Sequence, residues 1–479
     1  MTEERPRLSA PSHSHDPEEL RSARLLSLGR IPATNRAHAL ATKISDDLRP
    51  HLGDRAKAAL GGRDKGRERR IRETGIILAG LLRHGLSGDW SAVNESPSTW
   101  FWKAARKLPV KHNAFWSKID AMRTLGLLDH VQGLKFKNVW GNHQGHAARL
   151  RPSKTLIAMA QRYGCTPATA GEDWKLITPA PVEPLAPKEL LAFTAIPTKV
   201  RGKISEDSRR PMNVPPGCED LQAFMRALTG RLAEIEFTGC APPVLQARFI
   251  GTREFGGRIY AHGVDNYQNG IGKTERSHIT MNGEAVAELD LSASYLSIAL
   301  ALLGSPAPAG DPYALPGLEE TYRDAIKHWF VLFWQTGKAP QKWPKKTPSV
   351  VRESIKPQEI KGPAFARYPA LKDVESILPE TLQASIPKPM RNWAVGQYLT
   401  GVEASIMRQA MSGILESGGI VLPMHDGVII PCSQVAIALR AIKDACTAQL
   451  NRKIRTEVKK KYETIKSDVA QKIYCASKR

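Results

Sequence analysis

Apolar and polar residues fall into different rhythms along this chain, and the rhythms divide it. Residues 1–32 are rich in Ser, Pro, His and charge, without sustained apolar periodicity, and predict a disordered tail. Ala37 to Leu86 reads as helical, with Gly75-Ile-Ile-Leu-Ala-Gly-Leu-Leu82 a buried segment that carries two glycines. Phe115, Ile119 and Met122 recur at i, i+4 and i+7 on a basic amphipathic helix. Two strands follow, Gly126 to Val131 and Ala148 to Pro152, separated by turns at Gln132-Gly133 and Gly141 to Gly145. Helix, strand, basic loop, strand is the order of a winged helix, with Lys103, Arg106, Lys107, Lys111, Lys118 and Arg123 as phosphate contacts. A plain α+β packing module is the alternative. Residues 179–216 are rich in Pro and charge and read as a linker between a region at 33–178 and a domain at 217–450.

Within that second domain, Val286, Leu289 and Leu291 give strand character to a run ending near Asp290. Ser292 or Ser294 is a plausible N-cap for a helix from Tyr295 to Leu303, stopped by Gly304. Phe255-Gly256-Gly257-Arg258 and Asn282-Gly283 read as hairpin turns. Thr321 to Trp334 and Val395 to Met407 read as helices. Gly419-Ile-Val-Leu-Pro-Met-His-Asp-Gly-Val-Ile-Ile-Pro431 sets two β-branched runs around a polar His425-Asp426-Gly427. Two readings of this stretch stand: a hairpin whose Asp426 and Gly427 turn the corner, or a hairpin whose tip holds a carboxylate for a metal ion. Residues 451–479 form a basic C-terminal segment, read as a helix. The fold class is therefore α+β, with an antiparallel sheet in the C-terminal half and a mostly helical N-terminal half.

Charge narrows the function. With 69 Lys and Arg against 47 Asp and Glu in 479 residues, the net charge of +22 implies a polyanionic partner, most simply nucleic acid. The six cysteines form no Cys-x-x-Cys pair, which fits a reducing cytoplasm and argues against a zinc site. No apolar run is long enough to cross a membrane, and the N-terminus lacks an apolar signal core, so a cytoplasmic protein without a membrane partner is expected.

The chemistry rests on two aspartates far apart in sequence, each at the end of an apolar strand. If the strands are neighbours, Asp290 and Asp426 can share a pair of Mg²⁺ ions, the device that stabilises attacking and leaving oxygens in phosphoryl transfer. Here a family resemblance enters. Asp290-Leu-Ser-Ala-Ser-Tyr295 resembles motif A of palm-domain polymerases, and His425-Asp426 resembles motif C of family A (polymerase I-like) and single-subunit polymerases. Arg323-Asp-Ala-Ile-Lys327, between them, has the Arg-x-x-x-Lys spacing of the fingers helix, motif B. The resemblance covers about half of the chain, from Cys218 to Leu450. It departs from the family where Gly427 follows the motif C aspartate, and where no aromatic on the fingers helix, Phe330 and Phe333 included, falls at the family's spacing.

The resemblance implies a palm-like sheet with helical fingers and a template-directed nucleotidyltransferase, DNA synthesis favoured, acting on DNA or RNA with nucleoside triphosphates. It implies Asp290 and Asp426 as Mg²⁺ ligands, and Arg323 and Lys327 on the phosphates, with Lys327 protonating pyrophosphate. It further implies Tyr295 as a screen of the sugar and His425 at the primer end. Gln397, Glu403, Arg258 and Arg276 are candidates near primer, template or metal; ordinary polar helix positions and surface cations are the plain alternatives. Two other functions compete: a non-catalytic nucleic-acid-binding or replication-initiation protein, and a two-metal nuclease, which would want more carboxylates near Asp290 than Glu288 and Asp311 supply.

Overall fold

A computed structural model describes residues 20, 23–52, 63–93, 109–137, 143–176, 185–200, 203–204, 210–263, 265–308, 310–344 and 347–459. It is an α+β protein whose chain divides into two compact units: residues 1–182 with 263–272, and residues 183–262 with 273–479.

The first unit is built on two helices. In α1 (Asn35–Leu48), the Thr34 hydroxyl caps the N-terminus by accepting from the Ala37 amide, and Leu40, Ile44 and Leu48 line one buried stripe. In α2 (Arg63–Gly85), the run Ile76 to Leu82 lies in the core. Its glycines have a steric reason: a Cβ on Gly80 would sit 2.2 Å from the Ser27 carbonyl oxygen, and one on Gly75 would strike the Pro32 ring. The chain segment that crosses there was expected to be disordered. Instead Leu26 and Leu28 are buried, and Arg30–Pro32 pairs antiparallel with Trp174–Leu176. Residues 1–19 of the expected tail lie outside the described residues.

Next come β1 (Ser91–Val93), α3 (His112–Thr124), β2 (Leu128–Val131), β3 (Leu134–Lys137), β4 (His143–His146), β5 (Ala148–Pro152) and α4 (Lys154–Arg162). β5 pairs antiparallel with both β1 and β2, and β3 and β4 form a hairpin between β2 and β5. Phe115, Ile119 and Met122 of α3 are fully buried, as their spacing predicts. Lys118 does not face solvent: it is buried and pairs with Glu73 at 2.7 Å, because the α3 turn that carries it packs on α2. Lys103, Arg106 and Lys107 lie outside the described residues.

In the second unit the expected linker contributes to a sheet. β6 (Leu191–Thr194) pairs with Pro211–Met212 on one side and runs parallel to β7 (Leu245–Ile250) on the other. The alternating pattern of Leu191 and Phe193, both buried, is strand periodicity hidden among prolines. α5 (Glu219–Ala233) precedes β7, which pairs antiparallel with β8 (Thr252–Ala261). Gly256-Gly257 is not the hairpin turn. Both lie inside β8 at an irregularity in the register, where Phe249 faces Gly256, and the corner is turned at Gly251.

The second sheet carries the site. After a short helix α6 (Lys273–Arg276) come β9 (Thr280–Met281) and β10 (Glu284–Leu291), joined by the expected Asn282-Gly283 turn with positive φ at both residues. Then follow α7 (Ser294–Leu302), α8 (Arg323–Thr336), the long α9 (Arg391–Glu416), β11 (Leu422–Pro423), β12 (Gly427–Pro431), α10 (Val435–Leu450) and β13 (Thr456–Lys459). β10 pairs antiparallel with β12 along one edge, and with β9 and then β13 along the other. The start of the C-terminal segment is thus a strand, not a helix; residues 460–479 lie outside the described residues. α9 is the spine, packing on β8, α7, α8 and α10. Trp329, Phe330, Phe333 and Trp334 of α8 are buried against it and the neighbouring helices, with Trp329 and Phe333 stacked at 5.4 Å. Each ring buried this way contributes on the order of 2–3 kcal/mol, and neither Phe330 nor Phe333 can offer its face to a base.

Candidate active site

Antiparallel pairing of β10 with β12 sets Asp290 directly opposite Gly427, next in sequence to Asp426. The Leu291 amide donates to the Asp426 carbonyl at 2.9 Å, so the main chains of the two aspartates are fixed side by side. Gly427 belongs to this geometry rather than to the turn. A Cβ there would lie 2.2 Å from the Leu289 carbonyl oxygen and 2.3 Å from Asp290 Oδ1. The Asp290 carboxylate therefore occupies the room that any side chain at 427 would need.

The corner is turned by His425 and Asp426. Met424 and Gly427 exchange backbone hydrogen bonds of 2.9 and 3.1 Å, closing a two-residue loop. His425 has φ of 59°, at a place where such loops favour glycine. Ala293, three residues beyond Asp290, also adopts the left-handed conformation, with φ of 46°, and caps α7 with no side-chain bond, in place of the expected serine caps. Among the described residues, the other non-glycine positions with positive φ are Asn282 and Asn451, a residue type that tolerates it. Strain is thus confined to the two backbone corners beside the aspartates, a distribution typical of functional sites.

Behind the pair lies a buried ion pair. Arg258 Nε donates to Glu403 Oε1 at 2.9 Å, and Arg258 Nη2 donates to the same oxygen at 2.5 Å. Ser294 Oγ donates to Glu403 Oε2 at 2.5 Å. The Tyr295 hydroxyl bonds Thr400 Oγ1 on α9 at 2.5 Å, and the Arg258 guanidinium lies 5.5 Å from the Tyr295 ring centre. Burial pushes the Glu403 carboxyl up, and Arg258 and Ser294 pull it back. Burial opposes the charge of Arg258, but Glu403 and Tyr295 overcome it, so the guanidinium sits above its ordinary value. Arg258 is therefore committed to Glu403 and not the exposed hairpin cation that the sequence suggests. Gln397 is half-buried six residues before Glu403, a separation of about 240° around a helix, so the two do not share a face.

Burial pushes the Asp426 carboxyl above the ordinary aspartate range; its own amide, Arg258 and Lys327 pull it down, and Glu288 pushes it up. Lys327 is exposed on α8 and close enough to Asp426 to act on it electrostatically. Arg323, one turn earlier, instead pairs with Asp311 at 2.6 Å and lies over Tyr313. Arg276 faces Glu288 at 3.5 Å. The His425 ring packs 5.2 Å from Tyr260, and burial together with Arg258 pushes it down to about 4, so it is neutral at pH 7. Burial, then Glu403, pushes the Tyr295 hydroxyl up to about 12.

Glu403, a candidate in the sequence with an ordinary helix position as its alternative, is fully buried: it lies between Leu399 and Met407, four residues from each, on a buried apolar stripe. One participant escaped the sequence reading. Glu457 of β13 faces Asp290 across the other edge of β10 and accepts from Ser292 Oγ at 3.0 Å. Its strand alternation is masked by the surrounding run of cations.

For a divalent ion the candidate donors are the carboxylates of Asp290 and Asp426, whose main chains lie side by side. Among the described residues, no group of three His, Cys, Asp or Glu side chains is assembled for a metal. Mg²⁺ takes hard oxygen ligands and commonly uses one or two carboxylates, completing its shell with substrate phosphates and water. A desolvated aspartate whose pKa is raised fits such a cation, which would relieve the cost of its charge.

No protein-family model matches the chain, and no curated protein matches it. Among solved structures, it is similar to the POL domain of Pol1 from M. smegmatis in complex with DNA primer-template and dNTP. That similarity has 11% identity and a TM-score of 0.31, and covers 92% of this chain and 67% of the other. No helix among the described residues is long and apolar enough to cross a membrane.

Proposed function

We propose that the second unit is a template-directed nucleotidyltransferase with a palm-like sheet, acting on a nucleic-acid primer and nucleoside triphosphates. The observation that carries this reading is the register of β10 on β12, which sets side by side the main chains of two aspartates 136 residues apart (426 less 290), Asp290 buried and Asp426 half-buried, next to a pair of strained turns. Mg²⁺ held by Asp290 and Asp426 supplies charge neutralisation at the reacting phosphate and its leaving group. The chain supplies the rest. Lys327, free of the Asp311 pairing that occupies Arg323, is the cation we assign to the triphosphate. Tyr295, locked by Thr400 and by the Arg258–Glu403 pair behind it, is a fixed wall beside Asp290 that suits a check on the sugar. His425, neutral and held against Tyr260, offers a ring rather than a charge to the primer end.

In the first unit, α3, β2, the β3–β4 hairpin and β5 have the order of helix, strand, wing and strand. The placement of β5 between β1 and β2 supports a winged-helix reading of this region, and we assign it to duplex binding.

The test is primer extension with labelled nucleotide in Mg²⁺. Wild type extends; Asp290→Asn and Asp426→Asn lose extension while still binding primer-template. Full activity in either variant ends the proposal. Wild type that binds DNA without incorporating nucleotide makes the protein a binding or initiation factor, and wild type that degrades DNA makes it a nuclease.

A further inference from the structure

A second feature of the same unit lies on the loop between α10 and β13. Residues 452–455 line a cleft of about 60 Å³ together with Ser292, Ser297, Ala307, Pro308, Gly310 and Pro312. Three of the four loop residues are cations, Arg452, Lys453 and Arg455. Among the described residues none of the three meets a carboxylate within ion-pair distance, whereas Arg323 and Arg258 of the same unit are both claimed. Arg452 Nη1 is buried and has no hydrogen-bond partner. A buried guanidinium N–H left unmade costs on the order of 1–3 kcal/mol, so a fold that keeps one there leaves a donor waiting for an acceptor.

The walls of the cleft are held rigidly. The Ser292 amide donates to the Arg455 carbonyl at 2.8 Å, and Ser297 Oγ donates to the Ser292 carbonyl at 3.0 Å. Ser292 Oγ donates to Glu457 at 3.0 Å, and Asp311, between the lining residues Gly310 and Pro312, is paired with Arg323 at 2.6 Å. At about 10–15 Å³ per water, the space holds about four to six waters, enough for a compact oxyanion and too little for a nucleoside. No aromatic ring is among the lining residues to stack a base.

We infer that this cleft binds one phosphodiester group of a nucleic-acid strand, through Arg452 and Lys453 with Arg455 at the rim. It is a contact separate from the carboxylate pair, and its nearest wall, Ser292, is two residues along the chain from Asp290. The inference rests on the reading of this unit as one that handles nucleic acid, but its test needs neither metal nor turnover.

The experiment measures binding of labelled single-stranded DNA to the full chain in EDTA across a salt series, with competition by deoxynucleoside triphosphate. The variants are Arg452→Gln with Lys453→Gln and, as a second pair at more exposed positions, Lys453→Gln with Arg455→Gln. An equal-charge control pair is Lys188→Gln with Lys361→Gln, both exposed elsewhere in the unit. Circular dichroism verifies folding. Expected for each loop pair is a loss of about three- to tenfold in strand affinity at low salt. The slope of log K against log salt should shrink by about 0.7 for each phosphate that the variant no longer engages, with nucleotide competition unchanged and the control pair near wild type. Loop variants that bind like wild type overturn the inference. So does an equal loss in the control pair, which would mean diffuse attraction, or a loss confined to nucleotide, which would place a triphosphate there. If wild type binds no strand at all, the broader functional reading fails as well, and the two failures are thereby told apart.

Discussion

Two aspartates, one in each unit, show opposite electrostatics. Asp173 is fully buried, and its oxygens accept from Thr34 at 2.7 Å, Arg36 at 2.6 Å and Thr169 at 2.7 Å. Burial opposes its charge, yet Thr169, Thr34 and Arg36 outweigh burial and hold the carboxyl below the ordinary range. Asp426 is half-buried, but its nearest cations act at a distance and desolvation outweighs them, so its carboxyl is raised. Asp265 is likewise clasped by its neighbours, accepting from Ser27 at 2.5 Å and Arg83 at 2.9 Å. A carboxylate satisfied by its fold has a structural task. One that the fold leaves under-compensated, beside strained backbone, is poised for a positive charge from outside.

Activity gives the largest test of this contrast. Removing one metal-holding carboxylate forfeits several kcal/mol of transition-state stabilisation, or on the order of 10³ in rate at about 1.36 kcal/mol per tenfold. Asp426→Asn should therefore lower single-turnover incorporation at least that far, while Asp173→Asn leaves it near wild type. Equal losses would erase the distinction.

Stability should then run the other way. Asp173→Ala removes the shared acceptor of the Thr34 and Thr169 hydroxyls in a buried place, at a cost of about 1–3 kcal/mol in urea unfolding at pH 7. Asp426→Asn removes a desolvated charge and should raise the melting temperature.

Next is Gly427→Ala, whose methyl must displace Asp290 or the β10 backbone. The expected cost is about 1–3 kcal/mol with a loss of incorporation; a variant with normal stability and rate would show that the close approach does not matter.

The smallest effect is the pH profile. Because the folded-state value of Asp426 is raised, its ionisation destabilises the fold once pH exceeds the ordinary value of 3.8, and increasingly until the folded value is passed. The melting-temperature advantage of Asp426→Asn should be absent below about pH 3.8 and level off once the pH passes the raised folded value. Asp173, with a depressed value, stabilises above 3.8, and that contribution is lost as pH falls through its folded value. His425, held neutral down to about 4, costs wild type and variant alike as pH drops below 6.5, so it cancels in the comparison.

Much of the architecture could be read from periodicity. The buried stripe of α3 and the Asn282-Gly283 turn follow directly from residue spacing and turn chemistry. The strands that carry Asp290 and lead on from Asp426 do pair, the condition on which the sequence reading of the two aspartates rested. What could not be read depends on contacts distant in sequence. The irregularity at Gly256 looks like a turn because a double glycine serves either purpose, and only the pairing of Phe249 with Gly256 decides. Asp426-Gly427 looks like a corner, but the glycine is there for the Asp290 carboxylate, 137 residues upstream (427 less 290). Arg258 looks like a free surface cation because its partner Glu403 is on a helix that follows much later. Strands in Leu191–Thr194 and Thr456–Lys459 are short, and proline and lysine around them conceal their alternation.

The excursion at residues 263–272 has a consequence for how this protein can be dissected or inherited. The polypeptide passes between the two units three times, after residues 182, 262 and 272. Asp265, carried on the excursion, is clasped by Ser27, Arg30 and Arg83 of the N-terminal segment. A single nick before residue 185 should leave the fragments associated through native gels. A gene fragment beginning there would carry an acidic plug without its socket, so neither half is a free-standing cassette that recombination could shuffle cleanly.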